Sequence, residues 1–327
     1  MKLPTPPPLQ RGLRNGVFLA VLVVAGLLIA NSSDVGSLTL VLAAFPLALT
    51  ASLLAHLPQL LLQSLAWLVL LPRALRPSMK RMFLLRWYRE AGDALLPAGT
   101  VVGQAAVTRL MIRDGMPAEL AAGTATLGIT LEAVSQTIFT LIGLIVFLAI
   151  RQDAEPTGFL VGIGFAAFVA AGLVALQRPP ALALLRSLLE RLARRWPRLN
   201  PSWIDQFQAA TLRLHSNRRA LAVATLLHAA SWCMGAVEMM FLLNLVGYPV
   251  TFLEALVIES FAQVVRSAGF LLPGAAGVQE GAILAAGALI GVPPSAALNA
   301  ALIRRTRELL VGVSGLMAWR RDEVSEG

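Results

Sequence analysis

The residues best able to do chemistry stand where an apolar chain should carry none. In "LNAALIRRTRELLVGVSGLMAW", residues 298–319, Arg304, Arg305, Arg307 and Glu308 interrupt an otherwise apolar run. Arg109, Arg266, Glu132, Glu238 and Glu280 lie in or next to other apolar segments, and Gln104 sits one helical turn before Thr108 and Arg109. A charge at the centre of a membrane costs about 2.5–3.5 kcal/mol on insertion scales, so such groups persist only when paired or facing water. Guanidinium groups bind phosphate or another polar headgroup bidentately. Arg109, Arg304, Arg305, Arg307, Gln104 and Arg266 are therefore the candidate headgroup ligands. Glu280, Glu132 and Glu308 are candidates to balance their charge or to carry a coupling proton. Glu308 can pair with Arg304 at i, i+4 and with Arg305 at i, i+3. Arg109 and Glu280 are expected to meet near the membrane midplane. Arg113 reads as interfacial, Glu238 as a weak proton-relay candidate, and His228 with Trp232 as packing. His56, just before Pro58, is ambiguous.

Two broken segments must position these groups. "FLLPGAAGVQEGA" (270–282) and "ALLPAGTVVGQAA" (94–106) each set a proline and glycines inside apolar sequence. Pro97, Gly99, Gly103, Pro273, Gly274 and Gly277 are the expected hinges. A broken helix exposes backbone groups that only a cavity or a protein partner can satisfy. The two segments are also related. Shifting the chain by 176 residues sets "LLP" on "LLP", "GMP" on "GVP" and "TLE" on "TRE", with eleven of 38 positions identical between 95–132 and 271–308. Such self-similarity reads as a duplication. Around the first copy, 78–117 holds Lys80, Arg81, Arg86, Arg89, Arg109 and Arg113; the matching 254–293 holds only Arg266. Positive loops stay in the cytoplasm, so the copies are expected to be inverted.

The totals agree with a membrane setting. The 327-residue chain is 57% hydrophobic and 14% charged, with mean hydropathy +0.72; soluble domains are about a quarter charged. The net charge of +9 falls between apolar spans, so it reports topology rather than nucleic-acid binding. The expected fold is an all-α polytopic membrane protein. Six segments cross (13–30, 38–70, 118–150, 157–176, 220–246, 294–319), and two oppositely oriented re-entrant hairpins occupy 95–113 and 271–290. Pro58 is a kink candidate. The helix in 72–93, with six Lys/Arg beside Trp87 and Tyr88, is expected to lie in the headgroup region, and 251–270 either to lie flat or to cross. A tail at 1–12 and another at 322–327 flank one membrane domain, 13–321. It comprises repeat A (78–150), an amphipathic cytoplasmic insert (177–219) and repeat B (254–319). N- and C-termini are expected in the cytoplasm.

Nothing in the chain reads as catalytic. There is no G-x-S-x-G, H-E-x-x-H, P-loop or G-x-G-x-x-G pattern. Cys233 is the only cysteine, and three dispersed histidines give no metal-site spacing. No enzyme activity, catalytic residue, metal or cofactor is expected.

"LLPGAAGVQEG" with the arginine-rich segment after it resembles the membrane domain of lysylphosphatidylglycerol synthases, a flippase-like superfamily. "RWYREAGDALLPAGTVVGQAAVTRLMIRDG" and "RRTRELLVGVSGLMAW" are most similar to hopanoid-biosynthesis-associated membrane proteins of the HpnL type. The likeness spans about residues 10–321. It implies an inner-membrane protein that handles lipid, hopanoids or anionic phospholipids, through a polar cavity between the hairpins. It also implies that Glu280 and Arg109 match residues recurring in the family. Members often carry an acidic residue shortly before that arginine, where Gln104 stands here. The aminoacyl-transferring domain of the synthases has no counterpart in the chain. The expected function is lipid transport or flipping, with membrane lipids as partners and no nucleic acid. The alternative is a non-catalytic scaffold that holds lipid-biosynthesis enzymes through 177–219.

Overall fold

The computed structural model describes residues 35–151, 157–177, 202–268 and 277–324, with isolated positions between 180 and 187 and at 275. The expected first span (13–30), the tail before it, the hinges Pro273 and Gly274, and residues 188–201 of the 177–219 insert lie outside the described residues. Every described element is helical. In chain order they are α1 (Val35–Leu70), a 3₁₀ turn (Arg73–Leu75), α2 (Met79–Leu95), α3 (Gly99–Arg113) and α4 (Ala118–Ile150). Then come α5 (Thr157–Leu176), α6 (Ser202–Ser216), α7 (Arg218–Leu245), α8 (Phe252–Ala268), α9 (Val278–Ile290) and α10 (Pro294–Val324).

Side chains set several of the helix starts. Ser78 accepts from the Arg81 N–H at 3.2 Å, and Asn217 from the Ala220 N–H at 3.1 Å. Thr251 and Glu254 satisfy each other's backbone N–H groups in a capping box. The 36-residue α1 runs on through Pro46 and Pro58. Three helices, Ala43–Leu70, Ala118–Ile150 and Arg218–Leu245, are long and apolar enough to cross a membrane. Their outward residues remain apolar: Leu54 and Leu61 on α1, and Ile138, Ile142 and Ile145 on α4, are exposed. In water such a face would be a liability; in lipid it is the solvent contact. The 31-residue α10 is as long, but its central charges remove it from that apolar class.

The shift of 176 residues reappears in the backbone. The Met116 N–H bonds to the Met111 carbonyl at 3.0 Å, and the Val292 N–H to the Gly287 carbonyl at 2.9 Å. Gly115 and Gly291, the residues before those donors, have φ of 93° and 88°. Both copies thus end a helix with glycine in the left-handed region, a Schellman-type stop. Ala98 and Ala275, at the two breaks, both have φ 49°.

Two expectations fail here. The helix within 72–93 is not a headgroup-facing surface element. α2 packs against α1, α3 and α10, with Leu85, Arg86, Tyr88, Arg89 and Ala91 buried. Trp87 donates its indole N–H to the Val311 carbonyl at 2.9 Å. Likewise α8 does not lie flat. It packs against α4, α5, α7 and α9 and buries Ala255, Val257, Ile258 and Ala262 almost completely. In both cases small and apolar residues on more than one face made close helix packing possible.

Each break therefore joins two longer arms than 95–113 and 271–290. The first hairpin is α2–α3, turning at Leu96–Ala98; the second is α8–α9. Glycine lets α2 and α3 touch: a Cβ on Gly92 would lie 2.8 Å from Gly103 Cα, and one on Gly103 2.6 Å from the Arg89 carbonyl oxygen. Gly99 likewise faces the Gly92 backbone. Gly99 and Gly103 are thus contact glycines within a helix, not hinges; the positive φ falls on Ala98. Gly277, with φ 81°, does stand at a helix start.

The hairpins enter from opposite ends. α2 begins beside the C-terminal end of α10, where Arg81 meets Asp322 at 2.6 Å. It then climbs α10, Ala91 lying against Gly315 and Ala94 against Gly312. α9 ends at the other end, where Tyr248 donates its hydroxyl to the Gly291 carbonyl at 2.8 Å. The apolar core follows suit, and its two largest clusters lie apart. One cluster gathers Leu242, Ile258, Ile283 and Ile303 around α8–α9. The other gathers Leu71, Leu85, Leu110 and Leu127 around α2–α3. The polar groups lie between them, at the middle of the long helices.

Candidate functional site

The hairpin tips meet in this middle layer. Arg266 near the end of α8 donates to Asp93 near the end of α2 at 2.7 Å, and Thr100 of α3 also donates to Asp93. Asp93 and Arg266 help line a cavity of about 50 Å³. Apart from Ala94 its walls are polar or charged. At about 10–15 Å³ per water on this measure, it has room for a few waters and none for a lipid headgroup.

Arg304 and Arg307 of α10 anchor the network. Arg307 grips Glu238 of α7 through Nε at 3.2 Å and Nη2 at 3.0 Å. Arg304 donates to Glu259 of α8 at 2.6 Å and to the Gly235 carbonyl at 3.0 Å, and lies 3.5 Å from Glu238. Arg304, Glu238 and Glu259 are at most 2% exposed. Ser52 of α1 donates to Glu238, and Gln263 to Glu259 at 2.6 Å. His56 of α1 lies 2.6 Å from Glu90 of α2 and 3.0 Å from the Gln59 side-chain oxygen. Glu90 in turn sits 3.8 Å from Arg307. Buried ion pairs are tolerable only when their remaining donors and acceptors are also satisfied; here α1, α2, α7, α8 and α10 supply partners, and of the Arg304 nitrogens only Nε has none among the described residues.

Arg305 turns toward α9. It donates to Glu280 at 2.6 Å and lies 2.8 Å from Glu308. Glu280 also accepts the Gly277 N–H at 2.8 Å, which fixes the start of α9. The local pairing expected for Glu308 therefore occurs with Arg305, while Arg304 reaches across to α7 and α8.

Other expected contacts do not form. Arg109 and Glu280 do not meet. Arg109 is largely exposed and pairs with Glu323, whereas Glu280 pairs with Arg305. Glu323 and Arg305 are 18 residues apart on α10, roughly 27 Å at 1.5 Å per residue. Glu132 lies outside the cavity, paired with Arg86 at 3.2 Å and Arg89 at 2.8 Å. Gln104 is buried in α3, with no partner for its side-chain nitrogen among the described residues. Arg113 lies 3.3 Å from Asp322, and Arg81 bonds both Asp114 and Asp322 at 2.6 Å. Burial opposes the Arg81 charge, but its aspartate partners hold its pKa above the ordinary arginine value.

Sequence reasoning passed over Glu90, Asp93, Glu259 and Ser52. Glu90 and Asp93 were concealed by the basic run around them. The small residues Ala91, Gly92 and Ala94 beside them were the signal of an enclosed helix. Glu259 and Gln263 share one helix face at i, i+4, a polar stripe in apolar sequence.

No curated protein and no solved structure matched the chain. A family model, that of the lysylphosphatidylglycerol synthase TM region, matches residues 17–315. The match covers both hairpins, α10 through Gly315 and every residue of the buried network, and the chain belongs to this lysylphosphatidylglycerol synthase TM region family.

Proposed function

We propose that the protein moves a membrane lipid between leaflets, without catalysing a reaction on it. The observation that carries this reading is the ion pair joining Asp93 and Arg266 at the hairpin tips, beside the polar cavity. Two arms that enter from opposite ends and meet at a charged contact form a gate that can open toward either side. Arg304, Arg305 and Arg307 are the headgroup ligands, held by carboxylates until a phosphate or other polar headgroup replaces them. Arg109 of α3 pairs with Glu323, too far along α10 from Arg305 to share this role. The lipid tails stay in the bilayer. Hopanoids or anionic phospholipids are the proposed cargo, on the strength of the likeness to HpnL-type proteins and of the arginine count. Six spans, two re-entrant hairpins in an inverted repeat, and a bacterial inner-membrane location with both termini in the cytoplasm complete the proposal.

Liposomes carrying the purified protein and labelled lipid test it. Labelled anionic phospholipid or hopanoid should equilibrate between leaflets faster than in protein-free liposomes, and Arg307→Gln should abolish the gain. If neither lipid moves faster, while deletion of 177–219 alone destroys function in cells, the protein is a scaffold for lipid-biosynthesis enzymes instead.

A further inference from the structure

Four buried polar residues of α1, Ser52, His56, Gln59 and Gln63, recur at helical spacing in an otherwise apolar span. Ser52 bonds Glu238, and Gln63 donates to Ser231 of α7 at 2.7 Å. His56, 4% exposed and lining the polar cavity, is the one member of this stripe that changes charge near neutral pH. Both nitrogens of its ring face acceptors. Nδ1 lies 3.0 Å from the Gln59 side-chain oxygen, and Nε2 lies 2.6 Å from Glu90 Oε1. The Nε2 contact is short but not aligned as a hydrogen bond, so charge holds it. An imidazolium presents an N–H on both sides. A neutral ring has only one, and sets a lone pair against an oxygen until the Gln59 amide turns over to offer its NH₂. One amide rotation thus separates the two charge states, and the cavity has room for the water that would deliver the proton.

The carboxylate oxygen beside the ring is shared. Glu90 Oε1 also lies 3.8 Å from Arg307 Nη1, while the other Arg307 nitrogens grip Glu238. α1 packs against α2, α4, α7 and α10. To the cavity α2 brings Glu90 and Asp93, α7 brings Glu238, and α10 brings Arg304, Arg307 and Glu308. Glu259 and Arg266 face it from α8, and Glu132 of α4 is held outside it by Arg86 and Arg89. An anion that reaches Arg307 has to take the place of carboxylate charge there. A proton on His56 holds Glu90 on the imidazole side and offsets the incoming negative charge. A neutral ring leaves Glu90 to Arg307. Proton binding and anion binding therefore favour each other, and by linkage each does so to the same degree.

We infer that His56 is a proton-binding site coupled to Arg307: the neutral imidazole takes up H⁺ as an anionic headgroup takes the place of Glu90 at the guanidinium, so that headgroup and proton bind together. This rests on Arg307 as a headgroup ligand and names the coupling ion for that reading. The test reads proton uptake rather than transport. The full chain in an uncharged detergent, weakly buffered and with a pH indicator, is titrated with dihexanoylphosphatidylglycerol at steps across about pH 5 to 8. Uptake should peak within this range, at up to about one proton per lipid bound. His56→Gln and Arg307→Gln should each abolish it, whereas His215→Gln and His228→Gln, the other two histidines, should keep it. If His56→Gln fails to fold, Glu90→Gln removes the shared carboxylate and should cut the uptake at least about twofold. No uptake at any pH, or uptake that survives His56→Gln or Glu90→Gln unchanged, overturns the site. Uptake by a protein that moves no lipid in liposomes upholds the site and overturns the transport reading. Lipid movement without uptake does the reverse.

Discussion

Arg307 and Glu238 share two guanidinium nitrogens and two carboxylate oxygens while both are almost fully buried. Glu238→Gln keeps the shape but leaves Arg307 and Arg304 short of charge. Loss of one partner of a buried pair costs about 3–5 kcal/mol, so thermal unfolding in detergent should shift strongly downward. Arg109→Ala removes only an exposed pair with Glu323, worth about 0–1 kcal/mol. Equal shifts for the two variants would mean that the middle layer does not hold the bundle together. The difference also explains what was legible in the sequence. Arg304, Arg305, Arg307 and Glu308 declared themselves because four charges in apolar sequence demand partners. Which partners they take was not legible, because Glu238 and Ser52 lie 69 and 186 residues from the groups they bond, and no local spacing encodes such contacts. Arg109 was overvalued because its apolar neighbours on α3 concealed how close it lies to an exposed helix end.

The hairpins were legible as breaks but not as arms. Proline and glycine mark the turn at Leu96–Ala98 and the one after α8, whatever the surroundings. The length of α2 was hidden because six basic residues in 72–93 suggested a headgroup surface, whereas Arg86 and Arg89 turn inward to Glu132. Close α2–α3 contact depends on Gly103, where a methyl group would strike the Arg89 carbonyl. Gly103→Ala should destabilise by about 1–3 kcal/mol, as overpacking does, measurable by chemical denaturation. At the tips the relevant measurement is coupling between the hairpins. Asp93→Asn and Arg266→Gln each break the same contact, so the double variant should lose less than the sum of the singles, by about 0.5–3 kcal/mol. Strict additivity would mean that the hairpins do not hold each other closed.

At the scale of the whole molecule, the two ends of the bundle differ in charge. One end collects the C-terminus of α1, the starts of α2, α4 and α7, and the end of α10. Arg73, Lys80, Arg81, Arg218, Arg219 and Arg320 lie there. The opposite end joins the close of α4 and α7 to the start of α10, and its basic residue is Arg151, set beside Gly291. This asymmetry was legible in the sequence, because the positive-inside bias depends on loop composition and not on packing. It predicts which end faces the cytoplasm. Cys233 is the single cysteine, so Cys233→Ser gives a clean background for labelling. Exposed Ser216 and Thr251 flank α7 at its two ends. In intact cells with the outer membrane opened, a membrane-impermeant maleimide should label Thr251→Cys at once and Ser216→Cys only after the inner membrane is permeabilised. The reverse pattern would place the arginine-rich end outside. The α2–α3 hairpin would then open away from the cytoplasm, and the direction in which each arm of the gate opens would have to be exchanged.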